Sequence, residues 1–163
     1  MEANSNTFKL LSANLLLNNI KNTTAIQVAA SDKRGNLEFV LSKTNSGGSK
    51  RMPIIKDYKY FSDNPTIIKV EARKLDDTLK NNFDLIVMDI EGSEYFALKG
   101  MKKILSHAKH LIVEFLPHHL KNVSGVSVKE FLKVIDPYFN SLYIPSKKIT
   151  VNKSNFLKIL ENM

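Results

Sequence analysis

Two short apolar runs constrain this chain more than any other feature. Leu85-Ile86-Val87-Met88 and the run from Leu111 to Phe115 show little alternation of apolar and polar residues. A half-buried strand alternates, whereas a strand apolar on both faces belongs to a parallel sheet covered by helices. Between the runs, 93–100 and 101–108 carry a helical pattern, with Gly100 a candidate C-cap. Strand–helix–strand units of this kind cross over in the right-handed sense. The fold class is therefore α/β. The first run ends on Asp89-Ile90-Glu91-Gly92-Ser93-Glu94, three carboxylates within six residues. In open α/β sheets ligands bind beyond the carboxyl ends of the strands. The feature that fixes the fold class thus also marks where a site is expected.

The rest of the chain fills in around this unit. Phe8, Leu11 and Leu15 fall on one helical face, with Asn4, Ser5 and Asn6 available as N-caps and Asn18-Asn19 as a terminator. Residues 23–30 and 36–42 read as strands joined by a turn at 31–35, a hairpin. Residues 43–65 are rich in polar residues, glycine and proline and read as a long loop. A strand follows at 66–73 and a short helix or turn at 75–82. After the strand at 110–116, residues 127–135 form a helix with Ser127 and Glu130 spaced as a capping box. Residues 140–146 and 147–152 make an antiparallel hairpin. A last helix spans 154–162, with Ser154 as its cap. There is no internal repeat, and 163 residues fit a single domain, 1–163, able to bury about 70% of its unfolded surface.

Composition narrows the classes. The chain has no cysteine, which removes disulfides and thiolate metal sites and fits a reducing, cytoplasmic compartment. No apolar run reaches membrane-spanning length, and no signal segment opens the chain. The net charge is +8. The lysines are scattered, however, without the arginine-rich stripe and interleaved aromatics of a nucleic-acid surface.

Each carboxylate has two readings. Asp89 stands at the ligand position of the fold or stabilises a turn. Glu91 contacts a ligand or is merely solvated. Glu94 serves the site or complements the dipole of the helix it opens. Gly92 permits a tight turn and close approach of a ligand to the backbone. His118 and His119 follow the strand that ends at Glu114-Phe115 and are possible bases. Asp89, Glu91 and Glu94 have the chemistry to hold Mg²⁺, but three neighbouring carboxylates do not establish a metal site, and none is assigned.

The segment "DLIVMDIEGSEYFALKGMKKIL…HLIVEF" resembles the FkbM-type methyltransferases, which use S-adenosylmethionine. Their usual pattern is "D-[IV]-E-G-[AS]-E" at a strand end, a helix reading "L-x-G", and a strand ending in "E". Upstream, "EANSNTFKLLSANLLLNN", "VAASDKRGNLEF" and "VEARKLDDTL" are similar to the family's "E-P-N-x…L…N…N", "A-x-S-D-x-x-G-x-x-x-F" and "V…L-D-D". The ordered matches cover residues 2–116. The resemblance implies a Rossmann-like class I methyltransferase fold and S-adenosylmethionine as cofactor. It implies that Glu2 receives the ribose hydroxyls and that Ala30, Ser31 and Asp32 lie near the adenine. Asp89 would lie beside the methionine moiety and the transferred methyl group. Asp89, Glu91 or Glu94 would orient or deprotonate an acceptor hydroxyl on a sugar, glycolipid or natural product. Ala3 stands where the family has proline.

One family element has no counterpart. The glycine-rich turn "D-x-G-x-N-x-G" after the first strand is not matched by Gly35, Gly47, Gly48, Gly92, Gly100 or Gly125. The resemblance therefore implies that the first two strands are absent and that Met1 marks an internal or misassigned start. The strand at 23–30 would then be separated from that at 84–89, leaving open edges prone to self-association or to pairing with a companion chain. Three functions stay open: the carboxyl part of a methyltransferase, inactive or weak as this fragment; a non-catalytic remnant or interaction module; and a basic nucleic-acid-binding protein.

Overall fold

The computed structural model describes residues 1–56, 58–80 and 82–163. Helix α1, Ser5–Leu17, opens on Asn4, whose side chain accepts from the Asn6 N–H at 3.0 Å. Phe8, Leu11 and Leu15 are its half-buried face, while Leu10, Leu16 and Leu17 are exposed. Strands β1 (Ala29–Ala30), β2 (Gly35–Leu41), β3 (Lys50–Arg51) and β4 (Thr66–Arg73) form one mixed sheet in the order β1-β4-β2-β3. An isolated parallel bridge between Glu2 and Gln27 ties the amino end to the same region.

The hairpin expected of 23–30 and 36–42 does not form. β4 inserts between its two arms, parallel to β1 and antiparallel to β2 from Gly35↔Ala72 to Leu41↔Thr66. The long ladder with β4 satisfies far more backbone groups of β2 than the two residues of β1 can. The segment 43–65 is also more than a loop, since it carries β3 and two 3₁₀ turns, Ser46–Gly48 and Tyr58–Tyr60. Asp57 of that segment, and Asn81 of the expected 75–82 helix, lie outside the described residues. What is seen of the latter is α2, Leu75–Thr78.

The second sheet pairs β5 (Leu85–Met88) with β6 (His110–Val113) in parallel. They are joined through α3 (Glu94–Lys99) and α4 (Lys102–His107). β1 and β5 lie in different sheets. Among the described residues, only one face of β5–β6 is covered. Ile86, Met88, Leu111 and Val113 pack with Leu98, Met101, Leu105, Leu120 and Phe131 in the main core. Each large side chain buried there contributes about 1.5–3 kcal/mol. The opposite face leaves Leu85, Val87 and Ile112 at 50%, 67% and 57% exposure. The expectation of helices on both faces is corrected: α3 and α4 pack on the same side, and the apolar residues of the other face meet solvent.

Downstream, α5 (Pro117–His119) runs into a π-helical turn, Leu120–Ser124. Helix α6, Val128–Leu132, has the expected capping box between Ser127 and Glu130. β7 (Ser141–Ile144) and β8 (Ile149–Asn152) pair antiparallel. Helix α7, Phe156–Leu160, starts later than expected, because Ser154 is taken up in a 3₁₀ turn and Asn155 stands at the cap without a side-chain hydrogen bond. Among the described residues no helix is long and apolar enough to cross a membrane.

Contacts around Gly100 help to join the sheets. Gly100, at the end of α3, lies so close to the Ser31 carbonyl beyond β1 that a Cβ there would stand 1.9 Å from the oxygen. Its φ of −89° is open to any residue, so close approach rather than backbone freedom requires glycine. Asp76 of α2 donates its N–H to the Gly100 carbonyl and accepts from the N–H groups of Lys103 and Ile104 at 2.9 and 3.0 Å.

Candidate active site

Beyond β5 the chain makes a sharp turn. Glu91 and Gly92 both have positive φ, +56° and +91°. For a non-glycine residue this conformation costs free energy, and such strain clusters at functional sites. A Cβ on Gly92 would lie 2.8 Å from Val123 Cβ and 2.9 Å from His119 Cβ, so the turn sits flush on α5 and the π-helical turn. The Ser124 hydroxyl donates to the Gly92 carbonyl at 2.5 Å. Glu94 braces the turn from inside: it is 2% exposed, and its Oε1 accepts the Ile90 N–H at 2.9 Å. Burial pushes its carboxyl above the usual carboxylate range.

The turn borders a cavity of about 420 Å³ between the two sheets. Glu2, Ala30, Arg51, Asp89, Glu91 and Ser93 are among its lining residues. Glu2 is steadied by the Asn4 N–H, which donates to its Oε1 at 2.7 Å. Asp89 is solvent-exposed. The guanidinium of Arg51 rests 4.0 Å from the centre of the Phe96 ring. Of the residues singled out by sequence, Glu2, Ala30, Asp89 and Glu91 thus meet at one cavity.

Ser31, Asp32, Glu94 and His118 do not line it. Ser31 is buried, its N–H donating to the Arg73 carbonyl, and Asp32 pairs with Lys99 at 3.3 Å. His118 points to solvent, whereas His119 is buried beside the turn, its Nδ1 3.7 Å from Glu91 Oε2. Burial, then the charge of Lys50, holds His119 down to about 4, so its ring is neutral near neutral pH. Lys50 is itself buried and reaches Glu91 Oε2 at 3.1 Å. Glu114, just past β6, is pushed up by desolvation and then by the charges of Asp89 and Glu91. Lys50 and Arg51 were missed by sequence reasoning, because they sit on the two-residue β3 inside a stretch that reads as loop. The basic pair "KR" beside Gly47-Gly48 was the available signal, too common to be read.

A parallel strand ending on clustered carboxylates beside a cavity stands where open α/β sheets hold ligands. Comparison with protein families makes this specific. The model of the methyltransferase FkbM domain matches residues 1–142, and the chain belongs to that family. No curated protein and no solved structure matches it.

Proposed function

We propose that this chain binds S-adenosylmethionine in the cavity between its sheets and serves methyl transfer to a hydroxyl of a sugar, glycolipid or natural product. The observation that carries the reading is the meeting of Glu2 with the Asp89–Glu91 turn across one cavity. The donor set suits the cofactor. Glu2 accepts the ribose hydroxyls, as carboxylates at this position of nucleotide-binding folds do. Ala30 leaves room for the adenine. Asp89 faces the methionine end, where a carboxylate pairs with an ammonium. Arg51 supplies a cation for the methionine carboxylate. Bound there, the cofactor supplies an electrophilic methyl group on a sulfonium. The protein's part is to hold the acceptor oxygen in line with that methyl and to accept its proton on Asp89 or Glu91. Positioning contributes most of the rate in such a displacement.

The test is titration of S-adenosylmethionine into the chain, followed by saturation-transfer NMR. The family's glycine-rich turn has no counterpart among the six glycines, so the expected dissociation constant is weak, on the order of 1 mM, or about −4 kcal/mol. Glu2→Ala and Asp89→Asn should each weaken it further, and Lys99→Gln should not. Binding that is absent, or indifferent to both variants, overturns the reading.

The bare face at Leu85, Val87 and Ile112 favours a second reading, a non-catalytic interaction module. That reading expects no cofactor signal and a sedimentation mass that rises with concentration.

A further inference from the structure

We propose that Glu91, Glu114 and His119 form a site for a divalent transition-metal ion of the Mn²⁺, Fe²⁺ or Zn²⁺ class. The three residues come from three places in the chain: the turn after β5, the end of β6, and the last residue of α5. One ligand atom from each lies within 4.8 Å of the others. Ligands on a single ion at about 2.1 Å stand roughly 3–4 Å apart, so small side-chain rotations close the set.

A second, independent observation points to a ligand. His119 is 8% exposed, and its Nδ1 is fully buried with no hydrogen-bond partner. A buried nitrogen left in this state is costly, and a ring atom 3.7 Å from the Glu91 carboxylate gains a partner from a cation.

Charge argues the same way. Asp89, Glu91 and Glu114 gather three carboxylates just beyond the ends of β5 and β6, a concentration of negative charge. Lys50 answers only part of it, with its ammonium on Glu91 Oε2. A dication relieves what remains. The donor set selects the class. One imidazole with two carboxylates is poorer in oxygen than Mg²⁺ or Ca²⁺ prefers and lacks the thiolates that soft ions need. The site stands whether or not S-adenosylmethionine binds, because none of its three ligands was assigned to the cofactor. Its place beside the cavity that Glu91 also lines would let the ion take an acceptor oxygen on an open coordination position.

The experiment is titration of the full chain with Mn²⁺ alone, read by calorimetry and by electron paramagnetic resonance. The expected result is one ion per chain at micromolar affinity, with coupling to a ligand nitrogen. His119→Gln should abolish that coupling and weaken binding at least tenfold. Glu114→Gln should weaken it similarly, since losing a direct ligand costs no less than the 10–100-fold of an outer partner. Lys50→Met, which removes the competing ammonium, should tighten binding severalfold. Glu161→Gln, on the surface, should change nothing. Circular dichroism on each variant separates lost ligands from a lost fold. No saturable binding below about 1 mM, a wild-type spectrum without nitrogen coupling, or wild-type affinity kept in folded His119→Gln and Glu114→Gln overturns the proposal.

Discussion

Replacing Gly100 by alanine tests how the two halves of the site are held together. The added Cβ would stand 1.9 Å from the Ser31 carbonyl oxygen and 2.9 Å from its carbon, against about 3.4 Å for an ordinary contact. The backbone must yield by about 1.5 Å, and it is pinned on both sides. Ser31 is buried and donates its N–H to Arg73 at 2.9 Å. The Gly100 carbonyl is held by the Asp76 N–H at 3.0 Å, and Asp76 also caps α4. Overpacking of this kind costs about 1–3 kcal/mol, and a disturbed cap adds about 1. Gly100→Ala should therefore destabilise the chain by roughly 3 kcal/mol. For a chain of this length each kcal/mol lowers Tm by about 2–4 °C, so the expected fall is about 6–12 °C. Differential scanning calorimetry reads it directly. Gly48→Ala is the control, because the Asn45 side chain at 3.7 Å is its nearest neighbour. A Gly100→Ala melting point within about 2 °C of wild type would refute the reasoning, showing that the junction relaxes without cost.

Three further outcomes are expected. Burial raises the Glu94 carboxyl, so its contribution to stability is fully present below the ordinary value of 4.5 and is lost as pH rises through the raised folded value. Glu94→Gln keeps an acceptor for the Ile90 N–H without the charge. Denaturant titration across pH should show the variant gaining on wild type as pH increases, and a constant difference would contradict the assignment. Ser127→Ala removes the side chain that accepts the Glu130 N–H and should cost about 1 kcal/mol by urea unfolding. Val87→Lys, on the bare face of β5, should reduce binding of an apolar dye while shifting stability by no more than about 0.5 kcal/mol.

What could be read from the sequence was local. The capping box at Ser127, the apolar run at Leu85–Met88 and the carboxylates at its end depend on neighbours in the chain, and each stands where the pattern put it. The failed hairpin shows the limit. Residues 23–30 and 36–42 look like partners because they are adjacent, yet β4, more than twenty residues downstream, offers β2 the longer ladder. The carboxylates divided for a similar reason. Asp89 and Glu91 border the cavity, but Glu94, three residues on from Glu91, turns back to bond Ile90. Between His118 and His119 no pattern chooses, since only packing against the Gly92 turn buries the second and leaves the first in solvent. Lys50 meets Glu91 across 41 positions, a contact invisible to any window.

The bare face of β5–β6 has a consequence for every measurement of this chain. Whatever covers Leu85, Val87 and Ile112 in the folded state but not the unfolded one adds to stability by mass action, about 2.7 kcal/mol at a hundred times its dissociation constant. Melting temperature then becomes a property of a solution rather than of a sequence. A dilution series, not a single scan, is the form in which the stability of such a chain has meaning.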